Sequence, residues 1–243
     1  MNGVENLGDN AYSWLEEVLE SKYKVEKTFK REDNVWISLR INTSNGRQVV
    51  VRKYEGDCYV YKKLVGIEHV NLPTVYEAVE DGGRCLVIEE YVEGMTVGDV
   101  LETGRYTAKG VGNVINQLVG ALDVLHSNQI VHRDIKPENI MIRNDGVVKL
   151  IDYNISRVFE EESDRDTRVL GTTGFAAPEQ YGFAQTDLRT DIYALGILIN
   201  VMLTGEHPSK KICSGKWGKI VKRCTQINPD ERFQSVREIK LNT

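Results

Sequence analysis

The feature that most constrains the fold is a change of periodicity near residue 94. From Tyr23 to Glu89, short β-branched and aromatic runs are separated by turn residues; beyond Gly94, apolar residues recur at helical spacing. VWISLRI and RQVVVRKY flank the turn TSNG, so three antiparallel strands are expected between Tyr23 and about Val51. A short helix around Cys58 to Ile67 and strands near Thr74 to Glu80 and Arg84 to Glu89 complete a small β-rich lobe. Residues 107–128 and 187–204 read as long helices, and Tyr12, Leu15, Val18 and Leu19 predict an amphipathic helix ahead of the first strand. The expected organisation is α+β: a helical extension over 1–22, a β-rich lobe over 23–90 and a helical lobe over 91–243. A cleft between two such lobes is where a small ligand is expected.

Composition narrows the partners. The chain has 31 basic and 36 acidic residues and a net charge of -5, too acidic for a dedicated nucleic-acid binder, so protein partners are expected. Cys58, Cys85, Cys213 and Cys224 form no C-x-x-C pair, which predicts neither a zinc site nor a disulfide framework and fits a reducing cytoplasm. The opening MNGVENLGDN is acidic where a leader peptide needs a basic and then an apolar stretch. No membrane span is expected, because the longest apolar run, Tyr193 to Leu203, is about half the ~20 residues a spanning helix needs. It reads as a buried helix.

The polar residues cluster between the long helices. His132-Arg133-Asp134-Ile135-Lys136-Pro137-Glu138-Asn139 places a carboxylate, an amine and an amide on one loop, and Asp152 follows the apolar strand Val147 to Ile151. Phosphoryl transfer needs those groups: a carboxylate to accept the proton of the attacking hydroxyl, a cation beside the phosphate, and oxygens to hold a hard metal ion. Aspartates also serve as plain turn and cap residues, so one such motif alone leaves the role of Asp134 and Asp152 open.

Three further motifs follow in order: GTTGFAAPEQ (Gly171 to Gln180), TDIYALG (Thr190 to Gly196) and NPDERF (Asn228 to Phe233). With HRDIKPEN, these make the chain resemble the protein kinase superfamily, in its bacterial serine/threonine branch, from about Lys24 to Arg232. The resemblance implies a bilobal kinase-like fold and ATP with Mg2+ as cofactors. It implies Asp134 as catalytic base, Lys136 against the γ-phosphate, and Asn139 and Asp152 as magnesium ligands. Glu90 and Val92 fall at the hinge beside the nucleotide. Glu179 should pair with Arg232, Asp191 should orient the catalytic loop through backbone amides, and His132 should pack behind that loop. Lys136 two residues after the base, and Thr172 before APE, favour serine or threonine as acceptor. Thr167, Thr172 and Thr173 are candidate phosphosites, with Arg133 suited to a phosphorylated segment.

The nucleotide-gripping half departs from the family pattern. Thr28 to Val35 stand where the glycine-rich loop belongs and contain no glycine, with Lys30 and Arg31 expected at a solvated hairpin tip. In VVVRK either Arg52 or Lys53 is the nucleotide-contacting cation. Alternation puts them on opposite faces, and the register with Arg52 inward is favoured because it leaves Val49 and Val51 at apolar positions. No acid stands near Tyr59 or Val60 to pair with that cation, unless Glu55 or Asp57 reaches from the helix start. Glu89 falls where kinases place an apolar or small side chain at the back of the nucleotide pocket. A buried carboxylate there needs a cation, so Glu89 is expected within about 4 Å of Arg52 or Lys53, or else turned to solvent. The resulting expectation is ATP-dependent transfer to serine or threonine of a protein, including autophosphorylation. The alternative is a pseudokinase acting as a binding module. A small-molecule kinase of the aminoglycoside or choline type fits less well, because those lack the APE segment.

Overall fold

The computed structural model describes residues 7–153, 156–158, 174–181 and 185–239. They form two compact units: one of residues up to Glu68 with Pro73–Tyr91, the other of His69–Leu72 with the chain from Val92 onward. The helix expected ahead of the first strand lies within the first unit.

The first unit is a five-stranded antiparallel sheet flanked by helices. Helix α1 (Leu7–Lys22) leads into β1 (Tyr23–Glu32), β2 (Val35–Asn42), β3 (Gln48–Glu55), the short α2 (Tyr59–Leu64), β4 (Val75–Asp81) and β5 (Arg84–Glu90), in spatial order β1-β2-β3-β5-β4. Strands β1 and β2 turn through Asp33 and Asn34 alone, with Glu32 paired to Val35. Lys30 and Arg31 therefore lie within β1 and not at the tip: Lys30 is 3.1 Å from Glu32, and Arg31 lies over the Trp36 ring. At the next turn the Asn42 carboxamide oxygen accepts the Ser44 N–H (3.0 Å), and Gly46 takes φ 73°, a conformation that costs glycine little.

Alternation along β3 gives the sheet two different faces. Val49 and Val51 pack with Leu86 and Ile88 of β5 against Tyr12, Leu15 and Leu19 of α1, forming a buried core. The three helix residues share one stripe by their i, i+3, i+7 spacing. Burying each contributes on the order of 1.5–3 kcal/mol, which fixes α1 on that face. Lys53 shares the face and is held there by Glu16 of α1. The opposite face carries Val50, Arg52, Val87 and Glu89, with α2 against it: the Tyr61 ring lies 6.3 Å from the Tyr54 ring, and the Arg52 guanidinium sits 6.0 Å over Tyr61.

The second unit is built on two helices. It runs β6 (Met95–Thr96), α3 (Val97–Thr103), α4 (Ala108–Ser127), β7 (Ile130–Val131), β8 (Ile140–Ile142), β9 (Val148–Leu150), β10 (Arg157–Val158), α5 (Leu188–Thr204) and α6 (Gly215–Cys224). Helix α4 buries Val111, Ile115, Leu118, Leu122 and Leu125 along one side. Helix α5, apolar nearly all round, is buried on most of its surface, as such a helix must be. Asp187 caps its start by accepting the Arg189 N–H (2.7 Å), and Gly205 ends it at φ 74°. Asn71 ties His69–Leu72 into this unit, donating to Gln117 Oε1 (2.9 Å) and to the Val148 carbonyl (2.8 Å). Among the described residues no helix is long and apolar enough to cross a membrane.

Candidate active site

The loop from His132 to Asn139 leaves β7 and is pinned from beneath by α5. Asp191, fully buried in the first turn of α5, accepts the backbone N–H of His132 at Oδ2 (2.9 Å) and of Arg133 at Oδ1 (2.8 Å). The ring nitrogen Nε2 of His126 lies 2.8 Å from Asp191 Oδ2. Burial by itself would raise the Asp191 carboxyl, but the His126 hydrogen bond and the Arg133 amide hold it below the usual carboxylate range. Arg133 adopts φ 69°, a conformation that costs a non-glycine residue on the order of 1–3 kcal/mol. It is held on both sides, since its N–H is taken by Asp191 and its carbonyl accepts Gln180 Nε2 (2.9 Å). Gln180 was not foreseen from the sequence; its signal is only that it follows Glu179.

That restraint aims the loop's functional groups at one another. Asn139 Nδ2 donates to Asp134 Oδ2 and to the Asp134 carbonyl, both at 2.8 Å, and Lys136 Nζ lies 2.8 Å from Asp134 Oδ2. A 3-10 turn over Pro137–Asn139 brings Asn139 back toward Asp134. The Ile151 N–H donates to the Asn139 carbonyl (2.9 Å), which sets Asp152, at φ 73°, next in line. The structure thus brings Asp134, Lys136 and Asn139 together, with Asp152 one residue beyond the Ile151–Asn139 backbone contact.

His132 packs behind this group, edge-on to Tyr153 at 5.5 Å. Its Nδ1 accepts the Asp134 N–H (3.3 Å) and its Nε2–H donates to the Ile151 carbonyl (3.2 Å), an arrangement that needs the neutral ring. Burial pushes its pKa below the usual value, against the pull of Asp191, Asp134 and Asp152. The unfolded chain therefore takes up a proton near pH ~6.5 that the folded ring resists. Burial likewise lowers His69, helped by Lys149. Stability is expected to be full above that pH and to fall as the pH drops below it, read as a falling urea midpoint between pH 7.5 and 5.5. A flat midpoint would show that neither ring is held neutral.

Glu179 and Arg232 meet as expected, in a buried bidentate pair at 2.7 and 2.9 Å. The predicted sites Thr167, Thr172 and Thr173 lie outside the described residues.

In the first unit, Arg52 Nε lies 2.6 Å from Glu89 Oε1 and both side chains are buried. Lys53, the other candidate for the nucleotide cation, faces α1 instead. Neither Glu55 nor Asp57 reaches Arg52: Glu55 is exposed, and Asp57 accepts the Tyr59 N–H at 2.6 Å. Tyr61, unforeseen from the sequence, is the α2 side chain beside Arg52, its ring 6.0 Å from the guanidinium. Glu90 Oε2 accepts the Thr74 N–H (3.1 Å), and Val92 is buried at the start of the second unit's main segment.

Residues 24–241 match the family profile described as protein kinase domain. The chain belongs to that family. This kinase domain is 28% identical over 258 residues to a probable serine/threonine-protein kinase of Clostridium acetobutylicum, covering 91% of the chain and 39% of the relative. It is 37% identical over 172 residues to the serine/threonine-protein kinase PrkC of Bacillus subtilis, covering 70% and 26%. With the serine/threonine-protein kinase PknL of Mycobacterium tuberculosis it shares 38% identity over 139 residues, 56% of the chain and 35% of the relative. These matches span well under half the length of the curated relatives.

Proposed function

We propose that this kinase domain transfers the γ-phosphate of ATP to serine or threonine hydroxyls of a protein substrate, its own chain included. The observation that carries the reading is the convergence of Lys136 Nζ and Asn139 Nδ2 on the Asp134 carboxylate. Asp134 accepts the proton as the hydroxyl attacks, and the two donors hold its carboxylate in one orientation. Lys136 sets a positive charge where phosphate oxygens gather negative charge. Arg52, oriented by Glu89, is the first unit's cation for the nucleotide phosphates, and Glu90 and Val92 are the residues beside its base. Four free thiols, three of them buried, fit a reducing compartment such as the cytoplasm.

The donor set fits magnesium. Asn139 uses both its Nδ2 hydrogen bonds on Asp134, so its Oδ1, which accepts no hydrogen bond among the described residues, is the atom left for a hard cation, with the Asp152 carboxylate as the second oxygen ligand. Those two residues would hold the ion, which when bound neutralises phosphate charge. Asp152→Ala is expected to abolish magnesium-dependent ATP binding, measured by titration calorimetry with and without chelator. Equal ATP affinity in the wild-type domain with chelator present would favour a nucleotide-binding module that does not transfer phosphate.

A further inference from the structure

Cys58 is remote in sequence from the hairpin residues Glu80 and Cys85 and meets them in space. Cys58 precedes α2, Cys85 lies near the start of β5, and Glu80 is the residue directly across from Cys85 on β4. Both cysteines are fully buried, and the two sulfurs and a Glu80 carboxylate oxygen all lie within 4.8 Å of one another. No closely spaced cysteine pair marks this cluster in the sequence, because its ligands come from three separate elements.

We propose that Cys58, Cys85 and Glu80 form a site for a borderline-soft divalent cation, with zinc the ion that fits. Two thiolates and a carboxylate suit zinc, while magnesium in a nucleotide buffer prefers all-oxygen shells and does not compete. In a tetrahedral zinc site neighbouring ligand atoms lie about 3.3–3.8 Å apart, so this trio needs only small side-chain adjustment; Cys58 Sγ and Glu80 Oε2 are already at 3.8 Å. Lys62 Nζ lies 2.9 Å from Glu80 Oε2, and Oε1 has no hydrogen bond among the described residues. Lys62 thus orients the carboxylate from outside and leaves a second lone pair of Oε2, the oxygen already facing Cys58 Sγ, for the ion. The charges also close: two thiolates, one carboxylate and a dication sum to minus one, which the Lys62 ammonium offsets.

The Cys58 thiol points at Glu80, and the Cys85 thiol donates to the Gly56 carbonyl (3.1 Å). Metal binding releases both thiol protons to solvent, forms two metal–sulfur bonds and one metal–oxygen bond, and leaves a fourth position for water on the partly exposed Glu80 side. The ion would clip the start of α2 to β4 and β5. That helix carries Tyr61 over Arg52, so the site would act on the placement of the nucleotide cation.

The test uses the full reduced chain with Co2+ and Zn2+ as probes. The expected result is one Co2+ per chain, with a near-ultraviolet thiolate-to-cobalt band lost in Cys58→Ser and Cys85→Ser and kept in Cys213→Ser. Glu80→Ala should weaken binding at least ~10-fold. Because the cysteine variants can fail to fold, X-ray absorption on the Zn2+-loaded wild-type chain gives a second reading, with two sulfurs at ~2.3 Å. Substoichiometric binding, a metal shell without sulfur, a band that survives in both cysteine variants, or a Cys58–Cys85 disulfide formed in place of the complex would each overturn the proposal.

Discussion

Asp134→Asn is expected to lower phosphoryl transfer by about 10²–10⁴-fold, the usual contribution of a positioned general base, while leaving the fold intact. The carboxamide keeps the shape of the carboxylate and can still accept Asn139 Nδ2, so the loop restraints supplied by Asp191 and Gln180 are untouched. What is lost is the basic oxygen and the charge that Lys136 faces. Turnover and thermal midpoint measured on the same preparation separate the two: a large fall in rate with a midpoint shift of a few degrees supports the role, and unchanged transfer removes Asp134 from it.

Arg52→Met should destabilise the domain by about 3–5 kcal/mol, because Glu89 is then left as a buried carboxylate without its partner. Replacing both residues with methionine should recover most of that loss, since a buried ion pair is weak evidence of stability when well-packed apolar groups can take its place. ATP use should not recover with it. Denaturation midpoints for the two single variants and the double variant, set beside ATP affinity, test the idea that the pair is kept for nucleotide contact. A double variant that regains ATP affinity along with stability would show that the pair serves only the fold.

The parts of the fold that local pattern controls were legible. The stripe Tyr12, Leu15 and Leu19 announced α1, TSNG announced the β2–β3 turn, and the apolar run of α5 announced burial. What α1 packs against was not legible, because a stripe shows that a helix has a partner without saying which sheet face supplies it. That docking decides the β3 ambiguity: Glu16 of α1 meets Lys53, and the opposite face is left to Arg52. The Glu89 pairing could be anticipated because strand alternation and the cost of a lone buried charge act together. Local hairpin propensity placed Lys30 and Arg31 at a tip, whereas pairing continues to Glu32 and the turn closes on two residues. The Cys58, Cys85 and Glu80 cluster was invisible because strand pairing and helix placement create it, and neither is written in residue spacing.

One measurement tests the central claim most directly: incubation of the purified chain with ATP, Mg2+ and a generic protein substrate, followed by mass spectrometric assignment of the phosphorylated residues. The expected result is phosphate on serine and threonine side chains, dependent on magnesium and absent from Asp134→Asn. Nucleotide binding with no phosphate on any protein side chain would contradict it.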